Sequence, residues 1–287
     1  MWVPSDYSKQ NYLLMKIIID KELVQKLKDW FKNYVGTFKN NNDELQTTII
    51  IKEEHTERVI EEIIDLSKEL GLDTHEIHLA EIIALFHDIG RFEQYYRYKT
   101  FSDHKSVNHA ELGIKILKEH NVLGELDEEL QKLIFCSIKN HNLPALPDSE
   151  EDVCLFYSRL IRDADKLDIW RVVTDYYNRN DREINSALVL ELPDTPEISR
   201  SVYEALINKH IVNIMHVNNV NDIKLLQAGL IYDINFKPTL DCVKKRGYIE
   251  LLRKSLPETN EIARIFNTIN NYIETHNECL SKFIRAR

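Results

Sequence analysis

Glycine and proline are scarce in this chain. It has 7 of each among 287 residues, where average usage would give roughly three times the glycine and twice the proline. So few turn-formers allow few tight reversals, which argues for long helices and against a many-stranded sheet. No run approaches the roughly 18 apolar residues needed to cross a bilayer, so no membrane-spanning segment is expected. The apolar stretch from Tyr12 to Ile19 is short, carries Lys16, and runs into Asp20 without a small-residue cleavage site. It does not read as a secretory signal. Cysteine is sparse as well. Cys136, Cys154, Cys242 and Cys279 are far apart and form no C-x-x-C pair, so reduced, structural thiols in a cytoplasmic protein are expected. Positive charge is in deficit, with a formal net charge of −10. That disfavours bulk attraction to nucleic acid or to anionic membranes. A small anionic substrate stays compatible, because a bound metal dominates its local field.

What is present is enough for a sizeable core: 43% of residues are hydrophobic and 29% charged. Helical spacing of Leu23, Val24, Leu27, Trp30, Phe31 and Val35 predicts a helix over residues 20–35. A second is expected over about 46–70, closed by Gly71, and a third from Thr74 to His87-Asp88. Residues 90–107 are polar and aromatic and read as a long loop with room for one short turn. Further helices are expected at about 108–120, 127–141, 152–178, 222–234 and 258–284, with a break at Pro193 and Pro196. The aromatic side chains Phe92, Tyr95, Tyr96 and Tyr98 are expected to cover the core, with stacking on a base as the alternative.

The dipeptide His87-Asp88 closes the apolar run Ile82-Ile83-Ala84-Leu85-Phe86. An imidazole and a carboxylate at the end of a buried helix are costly to desolvate unless something compensates them. A divalent metal does so, and both groups are ordinary ligands. His55, His109, His141 and Asp165 fall on other expected helices. One such residue per helix is what a metal site in a helical bundle needs. Four imidazoles and two carboxylates can hold two ions, one carboxylate bridging. Asp163 competes with Asp165, and His104 with His109, while Asp168 shares a helix face with Asp165. The remaining histidines are read as surface or helix-face residues.

The ordered set His55, His87-Asp88 and Asp165, the last within Ala-Asp-Lys-Leu-Asp, resembles the HD-domain superfamily of metal-dependent phosphohydrolases. His109, in His-Ala-Glu-Leu-Gly, and His141 resemble the extra histidines of its two-metal branch. The resemblance covers about residues 50–175. The Gly-Tyr-Pro signature of the HD-GYP phosphodiesterases is absent: Asn142-Leu143-Pro144 stands there, and Arg91 replaces the lysine common after His-Asp-Ile-Gly. Cyclic-di-GMP is therefore not implied as substrate.

The resemblance implies an all-α, HD-like helical bundle. Residues 1–45 would be an N-terminal helical extension, 46–190 the hydrolase core, and 191–287 C-terminal helices packed on it. It implies one or two divalent ions (Mn, Fe, Co, Ni or Mg) on His55, His87, Asp88, His109, His141 and Asp165. Asp88 would stand beside a metal-bound hydroxide, with Arg91 and Lys105 contacting a small phosphorylated substrate such as a nucleotide. The implied activity is that of a phosphodiesterase or nucleotide phosphatase. A di-iron oxygenase and a non-catalytic nucleotide-binding module are the alternatives.

Overall fold

The computed structural model describes residues 18–39, 43–148, 150–178 and 192–284, and among them the fold is all-α, with no strand. The described chain divides into two compact units, Met1–Asp165 and Lys166–Arg287. The expected boundary at 190/191 lies outside the described residues. No helix among the described residues is long and apolar enough to cross a membrane.

In the first unit, α1 (Lys21–Gly36) starts at Asp20, whose side chain accepts from the Leu23 amide. It buries Val24, Leu27, Phe31 and Val35 along one stripe. Then come α2 (Asp43–Glu69) and α3 (Thr74–Phe86). They are joined at Gly71, whose φ of 75° the absence of a Cβ permits. Asp73 and Glu76 form a capping box at the start of α3. Every residue from Leu79 to Phe86 is buried, so α3 is the central helix, with α1, α2 and α6 (Glu128–His141) packed on it.

One expectation is corrected here. Residues 90–98, read as loop, belong to a helix, α4 (Ile89–Tyr98). Its buried face is Ile89, Gly90, Phe92 and Gln94, and this mix of glycine, amide and two apolar residues hides the helical period. Only the segment after Lys99 is irregular, with one short 3-10 turn at Asp103–Lys105. Phe92 is buried, whereas Tyr96 and Tyr98 are exposed. Gly90 lets α4 lie directly on α5 (His109–Glu119): a Cβ there would stand 2.1 Å from the His109 carbonyl oxygen and 2.7 Å from the Gly113 nitrogen.

A second correction concerns the thiols. Cys136 on α6 and Cys154 on α7 (Asp152–Asn178) are joined in a disulfide across a sequence separation of 18. Their Cα atoms stand 6.1 Å apart on adjacent helices, a proximity that sequence spacing does not reveal.

The second unit begins within α7 at Lys166. It contains α8 (Arg200–Ile207), α9 (Val220–Gly229), α10 (Lys237–Arg246), α11 (Tyr248–Lys254) and α12 (Asn260–Ile284). Trp170 is fully buried and donates its indole N–H to the Gln227 carbonyl. Asp222 is buried too, but Ser199 and Asn218 supply its oxygens with donors, so its role is structural.

Candidate metal centre

Side chains from the helices of the first unit converge on Asp88. His55 projects from α2, His87 caps α3, and Asp88 precedes α4. His109 opens α5, His141 closes α6, and Asp165 lies within α7. The six side chains form two groups: His55, His87 and Asp165 in one, and Asp88, His109 and His141 in the other. Within each group the possible ligand atoms all lie within 4.8 Å of one another.

Asp88 connects the groups. Its Oδ2 lies 3.6 Å from His55 Nε2 and 3.8 Å from His87 Nε2. Its Oδ1 lies 3.2 Å from His109 Nε2 and 3.7 Å from His141 Nε2. Each oxygen thus faces a different imidazole pair, the geometry of a bridging carboxylate. His55 Nε2 also stands 3.2 Å from Asp165 Oδ1.

The opposite nitrogens set the tautomers. His87 Nδ1 meets the Ala84 carbonyl at 2.7 Å, and His141 Nδ1 meets the Ile138 carbonyl at 2.6 Å. A carbonyl oxygen can only accept, so both Nδ1 atoms carry the proton and Nε2 presents a lone pair. His109 Nδ1 lies 2.8 and 3.0 Å from the two oxygens of Asp103, with the same effect. Anchoring of this kind is what orients histidine ligands on a metal. Burial pushes His87 down to about 4 and lowers His141 as well, so both rings are neutral at neutral pH.

Two features test whether cations fit. His87 Nε2 is buried with no hydrogen-bond partner. His109 Nε2 and His141 Nε2 stand 3.0 Å apart, and both face Asp88 Oδ1. An unpartnered buried nitrogen is costly, and a cation in each group would take up these inward-facing nitrogens. Imidazoles with carboxylates suit divalent Mn, Fe, Co or Ni, four of the metals the resemblance implies. Burial would raise the carboxyl of Asp88, but Lys52 and the surrounding imidazoles outweigh it and hold the group well below the usual range.

Asp103 and Lys52 are the contributors that sequence reasoning missed. Besides His109, Asp103 accepts from Arg91 Nη1 at 2.9 Å, Gln94 Nε2 at 2.8 Å and Asn142 Nδ2 at 3.2 Å. It sits in the polar segment before α5, where no periodicity singles it out. Lys52 Nζ lies 2.7 Å from Asp88 Oδ2. Its only signal is its place three residues before His55, on the same helix face. Arg91 lies inside the first unit, its Nε 3.4 Å from Asp88 Oδ1. Lys105 and His104 are exposed, whereas Asp163 and Asp168 are buried. A third group, Cys136, Glu150 and Cys154, is also compact, but its two sulfurs are bonded to each other.

No curated protein and no solved structure shows a significant match to the chain. The family model of the HD domain matches residues 53–170, a segment that contains all six converging side chains. Proteins of this family are generally metal-dependent hydrolases. Residues 53–170 of the chain are thus similar to the HD domain.

Proposed function

We propose that the protein is a two-metal phosphohydrolase acting on a small phosphorylated substrate, a phosphodiester or a nucleotide. The observation that carries this reading is Asp88, whose two oxygens face separate imidazole pairs. His55, His87 and Asp165 would hold one cation, and His109 and His141 the other, with Asp88 common to both. Cations there would acidify a bound water from a pKa of about 15.7 to about 7 and offset charge on the phosphoryl oxygens.

The chain's own residues prepare that chemistry. The Ala84 and Ile138 carbonyls hold the His87 and His141 rings with Nε2 inward, and Asp103 does the same for His109. Arg91 ties Asp103 to the Phe101 carbonyl and backs Asp88, so the charges around the bridge are fixed before substrate arrives. Arg91 and Lys105 are the cations the resemblance offers for phosphate contact.

The test is turnover of a panel of phosphomonoesters, phosphodiesters and nucleotides by protein loaded with Mn²⁺, Fe²⁺, Co²⁺ or Mg²⁺. Hydrolysis of at least one class, lost on chelation and regained with metal, is expected. Inertness of the metal-loaded protein on every member would remove the proposal. Oxygen consumption with iron in its place would move the assignment to an oxygenase using the same side chains.

A further inference from the structure

Lys52 is placed where the proposed reaction needs a cation that can change partners. It lies on α2, and its ammonium is 2.7 Å from Asp88 Oδ2. That same oxygen faces His55 and His87 at 3.6 and 3.8 Å. Lys52 and a cation on the first group therefore draw on one carboxylate oxygen. A metal ion ligated by that oxygen would stand within a few ångströms of the ammonium, like charge against like. An anion reaching both relieves the conflict.

Arg91, the other cation beside Asp88, has its Nη1 committed elsewhere. Arg91 Nη1 donates to Gln94 Oε1, Asp103 Oδ1 and the Phe101 carbonyl, which makes it a tie within the fold. The Lys52 ammonium has one hydrogen-bond acceptor among the described residues, Asp88. An ammonium carries three donors, so two remain for an incoming ligand. The Lys52 side chain is 22% exposed against 6% for Asp88, so it approaches the bridge from the solvent side. The Phe101 ring lies 5.5 Å from Nζ, close enough to steady the charge.

We propose that Lys52 binds the substrate's anionic group, passing its ammonium from Asp88 to a phosphoryl oxygen when the two cation positions fill. The proposal rests on the phosphohydrolase reading and adds the residue that recognises the phosphate. A lysine is a compact point charge rather than a planar fork. It would serve a tetrahedral phosphoryl group that must shift during reaction.

The probe is inorganic phosphate, titrated into Mn²⁺-loaded wild type, K52M and K52R, with Mn²⁺ affinity measured on the same samples. The loss of one charge-assisted hydrogen bond predicts phosphate affinity at least about tenfold weaker in K52M. K52R is expected to recover part of it. Mn²⁺ affinity in K52M is expected to equal or exceed that of wild type, since a competing charge has gone. If K52M does not fold, K52Q, which keeps a donor toward Asp88, is expected to show the same phosphate loss. Unchanged phosphate affinity in the folded variant overturns the role of Lys52 and leaves the phosphohydrolase reading intact. Weakened Mn²⁺ binding in K52M also overturns it, by making Lys52 a support for Asp88. Wild type that ignores phosphate refutes both.

Discussion

Replacing Asp103 with asparagine separates the two proposed cation positions. The carboxylate holds His109 Nδ1 at 2.8 Å and also accepts from Arg91, Gln94 and Asn142. All four partners are donors. The asparagine of D103N keeps the shape but turns one oxygen into an NH₂ group, so a donor must face a donor and the Arg91 guanidinium loses its counter-charge. Burial raises the Asp103 carboxyl, yet His109, Arg91 and Gln94 hold it below the usual carboxylate range, so it is fully ionised at neutral pH. Loss of such a partner to a ligating histidine typically costs about 10- to 100-fold in metal affinity, or about 1.4–2.7 kcal/mol. Isothermal titration with Mn²⁺ or Co²⁺ should therefore show one class of site weakened by that factor in D103N. The His87 ring is anchored on the Ala84 carbonyl rather than on Asp103, so the His55, His87 and Asp165 position should keep its affinity. Equal weakening of both sites, or of neither, would refute the positioning argument.

Gly90→Ala should destabilise the protein and displace His109. Its Cβ would meet backbone atoms, the His109 oxygen at 2.1 Å and the Gly113 nitrogen at 2.7 Å, so α4 and α5 must separate. Overpacking of this kind costs about 1–3 kcal/mol, readable as a lowered Tm with weakened metal binding. Arg162→Met tests the support of His141. The buried Arg162 donates to the Asn140 and His141 carbonyls at 3.3 and 3.0 Å and to that of Leu143. Stranding these carbonyls at the end of α6 should cost about 2–4 kcal/mol in denaturant unfolding. A change below about 0.5 kcal/mol, the range of ordinary surface substitutions, would show that this cap is dispensable.

Much of the helical frame is legible in the sequence because scarce glycine and proline leave long periodic runs. Gly71 and Thr74 mark the passage from α2 to α3 directly. The candidate metal residues are legible as chemistry in order: His87-Asp88 is conspicuous because the apolar run before it cannot compensate it. What stays hidden depends on contacts between distant segments. The period of α4 is masked because its buried face includes Gly90 and Gln94, chosen for a close helix approach and for hydrogen bonds to Asp103 and Ser106. Asp103 looks like any loop acid until His109 folds against it. Cys136 and Cys154 become neighbours only when α6 and α7 pack.

Counting the divalent ions held per chain tests the two-metal centre most directly. Elemental analysis of reconstituted protein, beside a titration of Asp88→Ala, gives the number and its dependence on the bridge. Two ions in wild type, with both affinities reduced in D88A, is the predicted result, because Asp88 turns one oxygen to each imidazole pair. A single ion in wild type, or two that D88A leaves unchanged, would contradict it.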